Sequence, residues 1–249
     1  MNNSEIIWDK VVTNIREPES SKKIWSTNID NKLALVIIEP RKHKWLKGVL
    51  YNFSHVYGGR NDTSLYIFHG NENKDFILDI VNGWNGIHLV NMNVSNLTIY
   101  EYNHLITSLN FWNIIKSEYA LIFQTDTLLR KEISPEFFKY DYVGAPWKKT
   151  YNSSNCKLVG NGGLSLRNIK IMKYICSLKP NKDISLNEDV YYSERLLESF
   201  LPSVEEASKF SVESIFYNDP CGMHKAYDFF DENKITSLLK NIPGIIINY

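Results

Sequence analysis

Short apolar segments recur through the first half of the chain and constrain its fold more than any other feature. Leu33-Ala34-Leu35-Val36-Ile37-Ile38 contains no polar residue, as expected of a strand that is buried on both faces of a parallel sheet. Shorter, mostly apolar runs follow at 65–68, 87–90 and 119–123. Between the runs, apolar residues recur at helical spacing at 45–56, 76–81 and 100–116. This alternation predicts an α/β fold with a Rossmann-like, mostly parallel central sheet that is flanked by helices.

The second half of the sequence is less regular. We expect a strand near 141–145, helices at 169–176 and 188–200, and little periodicity from residue 202 until an apolar stretch at 242–247. We interpret the polar residues 1–30 as an N-terminal extension or a short helix. Residues 31–249 are expected to form one domain, because no internal repeat and no linker rich in Pro, Gly or Ser divides them.

The balance of charges limits the classes of partner. The chain has 28 Lys plus Arg and 28 Asp plus Glu, so its formal net charge is zero. A neutral chain lacks the broad basic field of a nucleic-acid-binding protein, and we therefore expect no nucleic-acid partner. The sequence has no apolar stretch near the roughly 18 residues of a transmembrane helix and no signal-like N-terminus, so we expect a soluble cytoplasmic protein. The three cysteines show no zinc-ligand spacing.

Polar residues at the carboxyl ends of the strands are the first candidates for a site, because ligands of open parallel sheets bind there. Gln124-Thr125-Asp126 directly follows the run at 119–123. A carboxylate in this position is suited to Mg²⁺ or Mn²⁺ and, through the cation, to a diphosphate. Asp is also a favoured helix N-cap. Both roles fit Asp126 at this stage.

Two later segments each allow a functional and a structural interpretation. The glycines of Gly160-Asn161-Gly162-Gly163 let a phosphate or sugar approach the backbone, or they form a tight turn. The acids of Asn187-Glu188-Asp189 can include a general base, or they complement the positive end of a helix dipole.

Two further side chains are candidates near the end of these motifs. His224 could join a carboxylate on Mn²⁺ while Lys225 stabilises a phosphate, although a lone His is more often structural. Trp147 lies beside Lys148 and Lys149. We expect its ring to be exposed and available to a sugar.

Taken in order, these segments resemble a family of uncharacterised domains that is grouped with the GT-A glycosyltransferases. The most specific stretches are Asp141-Tyr142-Val143-Gly144-Ala145-Pro146-Trp147 and Gly160-Asn161-Gly162-Gly163-Leu164-Ser165-Leu166-Arg167. Gln124-Thr125-Asp126, Asn187-Glu188-Asp189 and His224-Lys225 accompany them. The resemblance spans roughly residues 33–227.

The resemblance implies a GT-A-like fold and transfer of a sugar from a nucleotide-sugar donor, commonly UDP-linked, to a glycan or other hydroxyl acceptor. Asp126 would bind Mn²⁺ or Mg²⁺ together with His224, and Gln124 replaces the first acid of the usual Asp-x-Asp motif. Asp189 would be the acid that deprotonates the acceptor in inverting members of that group, and retention stays open because nothing in the sequence positions the acceptor face. The residues expected to contact the nucleotide sugar are Glu39, Arg41, Asn71, Tyr102, Asn103, Gln124, Asp126, Trp147, Gly162, Gly163 and Lys225.

Two other functions remain open at this stage. Gln124 brings no charge to the metal motif, which favours a non-catalytic relative that binds a glycan or a nucleotide. A nucleotidyltransferase can use a similar strand-end carboxylate, but the sequence has no obvious basic triphosphate loop.

Overall fold

Two sheets of unequal size organise the part of the chain that the structure describes. The computed structural model describes residues 2–148, 158–178 and 186–245. In chain order the strands there are β1 (Asn31–Glu39), β2 (Thr63–His69), β3 (His88–Asn91), β4 (Ser117–Phe123), β5 (Thr127–Leu129), β6 (Tyr142–Gly144), β7 (Leu164–Asn168), β8 (Ser211–Val212) and β9 (Gly222–His224). Six of them form the central sheet, in the order β3-β2-β1-β4-β7-β6, and β5-β9-β8 form the smaller one.

The central sheet is mostly parallel, which confirms this part of the predicted fold class. Strands β1 to β4 pair in parallel, while β7 runs antiparallel to both β4 and β6. The order of the strands reverses between β1 and β4, because β2 and β3 lie on one side of β1 and β4 lies on the other. Loops that leave the carboxyl ends of β1 and β4 therefore diverge, and the crevice between them is the usual ligand position in such sheets.

Helices cover both faces of the central sheet. They are α1 (Asn3–Thr13), α2 (Leu46–Tyr57), α3 (Lys74–Ile80), α4 (Ile99–Ile106), α5 (Leu109–Ile114), α6 (Ile169–Leu178), α7 (Glu188–Arg195), α8 (Val204–Phe210) and α9 (Glu232–Leu238). Leu35 and Ile37 of β1 join the hydrophobic core under α1, α2 and α9, whereas Val36 and Ile38 join the core under α4 to α7. The apolar run at 33–38 therefore follows from burial of this strand on both faces.

Two predicted helices are shorter in the structure. The segment 100–116 forms α4 and α5 rather than one helix, because Ser108 is extended and its hydroxyl caps the N-terminus of α5 by accepting from Phe111 N–H at 3.2 Å. The helix predicted at 188–200 ends at Arg195, because Leu196 is extended (φ −96°, ψ 143°). A single 3₁₀ turn, Glu198–Phe200, follows.

Regular structure continues after residue 202, although the sequence shows little periodicity there. Strands β8 and β9 and helices α8 and α9 lie there, and each is shorter than the windows in which periodicity is visible. Ser203 and Glu206 form a capping box at the start of α8. The apolar stretch at 242–247 lies partly outside the described residues.

Residues 1–30 contain a helix that packs on the main core. Trp8 and Val12 of α1 are fully buried, and the ring of Trp8 lies 5.3 Å from that of Tyr227, centroid to centroid. The short helix expected here is therefore present, while the domain boundary at residue 30 stays a prediction. Among the described residues, no helix combines the length and the hydropathy that a bilayer crossing requires.

Truncation of Trp8 tests how much the packing of α1 on the core contributes to the free energy of unfolding. We expect Trp8→Ala to lower the free energy of unfolding by about 3–5 kcal/mol, because it leaves a cavity at a fully buried site. The matched variant Ile6→Ala, at a residue of α1 that is 49% exposed, should cost less than about 1 kcal/mol. Urea unfolding measures both values. Similar small losses in the two variants would mean that α1 is peripheral to the cooperative unit.

Candidate functional site

A cleft of about 230 Å³ lies at the crevice between β1 and β4. Its lining comes from three places: residues 38–41 at the end of β1, residues 124–126 after β4, and the start of α4 with residues 96–99 and Tyr102. Of the candidate residues, the cleft contains Glu39, Arg41, Tyr102, Gln124 and Asp126. This confirms the prediction that the polar residues at the carboxyl ends of β1 and β4 lie close together.

Arg41 is held in place by Glu39. The buried Glu39 carboxylate accepts from Nε and Nη2 of Arg41, each at 2.8 Å, in a bidentate pair. The Arg41 side chain is nevertheless 56% exposed. Its donors outside the pair can therefore reach an anion in the cleft. The Glu39 carboxylate is occupied by Arg41, which leaves it a positioning role.

The small sheet brings Asp126 and His224 together. Thr127 pairs with His224 between β5 and β9, and Lys225 N–H donates to Asp126 O at 2.9 Å. As a result, Oδ1 of Asp126 lies 3.3 Å from Nε2 of His224. The chain continues from Asp126 into β5, so the helix N-cap interpretation of Asp126 was wrong.

Glu213 lies on the other side of the His224 ring. Its Oε1 is 3.2 Å from Nδ1 of His224 and accepts from Asn161 Nδ2 at 2.8 Å. Burial opposes a charge on His224, but the carboxylates of Asp126 and Glu213 outweigh it and raise the pKa of His224 to about 10. A carboxylate behind a histidine is the usual arrangement for orienting the ring's other nitrogen toward a ligand.

The glycine pair permits two close contacts. A Cβ on Gly163 would lie 2.2 Å from Nε2 of His224, and a Cβ on Gly162 would lie 2.0 Å from Oε1 of Glu188. Gly163 O accepts from Gln124 N–H at 3.1 Å. This hydrogen bond ties the glycine loop, residues 160–163, to the end of β4. Both glycines are therefore explained by side chains of the protein that pack against them. Their predicted contact with a sugar stays a prediction.

A buried ion pair packs against the glycine loop. Arg167 of β7 and Glu188 of α7 pair through two contacts, Nη1 to Oε2 at 2.6 Å and Nη2 to Oε1 at 2.9 Å. The Arg167 side chain is fully buried, and its guanidinium lies over the ring of Tyr142 at 4.8 Å. Its Nε donates to Ser165 Oγ at 2.9 Å. The pair fixes the start of α7 against β7.

Asp189 is the next residue of α7 and faces the glycine loop. Its Oδ2 accepts from Gly162 N–H at 3.3 Å, and its Oδ1 accepts from Val190 N–H at 2.8 Å. Burial and the neighbouring Glu188 carboxylate raise the pKa of Asp189 to about 7. A carboxyl group that titrates near neutral pH can exchange a proton with a substrate hydroxyl. The helix-dipole interpretation also holds, since both acids lie in the first turn of α7.

The remaining candidates lie outside the cleft lining. Asn71 is exposed and accepts from Asn91. Asn103 is buried and accepts from Glu188 N–H at 3.2 Å, so it holds the start of α7. Lys225 adopts a left-handed conformation (φ 49°), and its Nζ lies 3.1 Å from Oδ2 of Asp228. Inside the cleft, by contrast, Gln124 Nε2 donates to the Tyr102 hydroxyl at 3.4 Å.

The expectation that Trp147 is exposed was wrong. Its residue exposure is 5%, and it packs against Val190, next to Asp189. The ring has little open surface for stacking on a sugar in this arrangement. Lys149, which suggested exposure, lies outside the described residues.

Sequence patterns missed Glu213 and the pairing of Arg167. Glu213 follows a two-residue strand in the irregular tail, and nothing in the sequence marks it. Arg167 does carry a signal, because it follows Leu164-Ser165-Leu166 in a buried strand. An arginine there needs a buried carboxylate, and Glu188 provides it.

The fold and the site define a class of protein: a mixed α/β domain with a polar cleft at the strand-order reversal and a carboxylate–histidine pair at its edge. The chain belongs to the family described as "Protein of unknown function (DUF5672)", whose sequence model matches residues 87–224, more than half of the chain. The match covers β3 to β9 and includes Asp126, Asp189 and His224. A comparison with curated proteins finds no match.

A double-mutant cycle tests the buried ion pair. We expect Arg167→Met and Glu188→Leu each to lower the free energy of unfolding by about 3–5 kcal/mol, because each leaves an uncompensated buried charge. The double variant should lose clearly less than the sum. Lys209→Met, at an exposed pair with Glu205, should cost under about 1 kcal/mol. Additive losses in urea unfolding would show that the two charges are not coupled.

The raised pKa of Asp189 predicts a pH dependence of stability. A carboxyl whose pKa is higher in the folded than in the unfolded state stabilises the fold fully at low pH, and this contribution is lost as pH rises toward 7. Between pH 5 and 8 the unfolding free energy of the wild type should therefore fall by on the order of 2 kcal/mol more than that of Asp189→Asn. The exposed Asp79→Asn variant should follow the wild type. Parallel pH curves for wild type and Asp189→Asn would contradict the shift.

Proposed function

We propose that this protein is a GT-A-like glycosyltransferase that moves a sugar from a nucleotide-sugar donor to a hydroxyl acceptor, with inversion. The observation that carries the proposal is the meeting of Asp126 and His224 at the edge of the cleft. Asp189 of α7 accepts from Gly162 of the loop whose next residue packs on His224. The motif resemblance supports the same reaction. UDP is the first nucleotide to test, since donors of the resembling enzymes are commonly UDP-linked.

Asp126 and His224 would supply two ligands to a divalent cation, and the substrate would supply the others. Oδ1 of Asp126 is buried, and Nε2 of His224 faces it at 3.3 Å. A cation would displace the proton that the raised pKa keeps on His224, because only the neutral imidazole is a metal ligand. No cluster of three or more potential ligands exists in the described ranges. Mg²⁺ is often held by one or two carboxylates plus substrate phosphates, and Mn²⁺ accepts a carboxylate and an imidazole. When bound, such a cation would neutralise charge on the departing diphosphate.

The other groups supply positioning and proton transfer. Arg41, braced by Glu39, would contact the phosphates or the ribose from the β1 side of the cleft. Glu213 would keep Nε2 of His224 directed at Asp126. Asp189 in its ionised form would accept the proton of the acceptor hydroxyl as that oxygen attacks the anomeric carbon. Its pKa of about 7 lets this carboxyl take up and release a proton near neutral pH.

One observation favours a second candidate, a non-catalytic relative that binds a glycan or a nucleotide. Gln124 stands where the resembling enzymes carry an acid, and its amide donates to Tyr102. The site would then hold a diphosphate more weakly and without turnover. A nucleotidyltransferase is a third candidate with no such observation in its favour.

The test is a screen of nucleotide sugars with Mn²⁺, with release of nucleoside diphosphate as the first readout and binding of Mn²⁺ by electron paramagnetic resonance as the second. We expect turnover in the wild type. Asp126→Asn should lose both Mn²⁺ binding and turnover. Asp189→Asn should keep Mn²⁺ binding and lose about 10²–10⁴-fold in turnover. Glu213→Ala should weaken Mn²⁺ binding about 10–100-fold.

Asp79→Asn, at an exposed position of α3, is the control for both readouts. Metal-dependent binding of the nucleotide without turnover of any donor would favour the non-catalytic relative. Pyrophosphate release from a nucleoside triphosphate would favour the nucleotidyltransferase. Wild-type Mn²⁺ binding and turnover in Asp126→Asn would refute the assignment of this site.

A further inference from the structure

A second cleft, of about 350 Å³, lies between the end of α1 and one face of α2. One wall contains Thr13, Ile15, Arg16 and Glu17, and the other contains Lys44, Lys47 and Tyr51. It shares no lining residue with the cleft at the strand ends. Small-molecule sites commonly have volumes of about 300–1,000 Å³, so this cleft has room for more than a simple ion.

The cleft has an excess of positive charge in a chain whose net charge is zero. Glu17, its acidic residue, is paired with Lys23 at 2.5 Å. Neither Arg16 nor Lys47 forms an ion pair with any residue in the described ranges. These two cations face the cleft without a carboxylate to match them, which favours an anionic occupant.

Tyr51 provides a second and independent observation. It is 4% exposed, its ring stacks on Trp84 with centroids 6.3 Å apart, and Nζ of Lys47 lies 5.5 Å from the ring centroid. Across the part of the chain that the structure describes, its hydroxyl has no hydrogen-bond partner, and the hydroxyl oxygen itself is not fully enclosed. Because Tyr51 lines the cleft, an occupant of the cleft can supply that partner.

The hydroxyl is suited to donate to an anion. Burial and the nearby carboxylate of Glu17 raise the pKa of Tyr51, so the phenol stays protonated at neutral pH. The guanidinium of Arg16 adds a planar fork of donors, which matches phosphate oxygens. The ammonium of Lys47 adds a point charge. Two cations and one hydroxyl donor suit a phosphate dianion better than a carboxylate, which has fewer oxygens and less charge.

We propose that the cleft between α1 and α2 binds the phosphate group of a small phosphorylated molecule through Arg16, Lys47 and the Tyr51 hydroxyl. Gly48 forms part of the floor, and Lys44 lies at the side, where Asp9 holds it at 2.5 Å. The remainder of the cleft volume accommodates the organic part of the ligand. This site is independent of the proposed transferase reaction, because it uses none of the residues of the strand-end cleft.

Inorganic phosphate is the probe for the test, added to the metal-free full chain in the presence of a chelator. Residue-resolved ¹H–¹⁵N NMR spectra follow the titration. We expect saturable shifts at residues 13–17 and 47–51. The double variant Arg16→Gln, Lys47→Gln should bind at least about tenfold more weakly, since two charge-assisted contacts are lost. Tyr51→Phe should bind about three- to tenfold more weakly while its melting temperature without phosphate stays close to that of the wild type.

Lys240→Gln, at an exposed lysine that lines neither cleft, should leave the affinity unchanged. Saturable shifts confined to Arg41, Thr98 and Asp126 would overturn the proposal, because the phosphate would then occupy the strand-end cleft. Shifts that rise linearly at many surface lysines would also overturn it. Failure of the transferase assay has no bearing on this result, since no donor, acceptor or metal is present.

Discussion

The buried ion pair between Arg167 and Glu188 is the interaction on which the candidate site depends. A guanidinium without solvent exposure must be neutralised and hydrogen-bonded where it lies, so β7 and the start of α7 have little freedom relative to each other. The carboxylate of Glu188 fills the space over Gly162. Asp189, one residue further, is thereby brought to the backbone of the glycine loop. The same proximity of the two acids contributes to the raised pKa of Asp189.

The glycine loop connects this ion pair to Asp126 and His224, the two candidate metal ligands. Gly163 allows the ring of His224 to pack directly on the backbone, and its carbonyl accepts from the end of β4. Asp126 leaves that strand end and meets His224 through the small sheet of β5 and β9. Two separate sheets therefore have to form before the carboxylate and the imidazole can face each other. This explains why the site needs nearly the whole length of the domain.

Net charge is a poor guide to what this protein binds. The chain has as many acidic as basic residues, yet the acids and bases are unevenly placed. Acids concentrate around His224, at Asp126 and Glu213, while Arg16 and Lys47 stand without a matching carboxylate in a separate cleft. A local field acts over roughly one Debye length, about 8–10 Å at physiological salt. Local charge, rather than the zero total, therefore sets the electrostatic potential in each cleft.

The sequence by itself determined the layer architecture and the place of the cleft. A run such as that at 33–38 favours a strand buried on both faces, and polar residues that follow such strands converge at one edge of the sheet. Only the tertiary structure decided which side chains contact one another. Glu213 reaches His224 through pairings of two- and three-residue strands, and Trp147 is buried by Val190 from a distant helix. Strands that short leave no periodic pattern, and burial of a single side chain depends on neighbours that are remote along the chain.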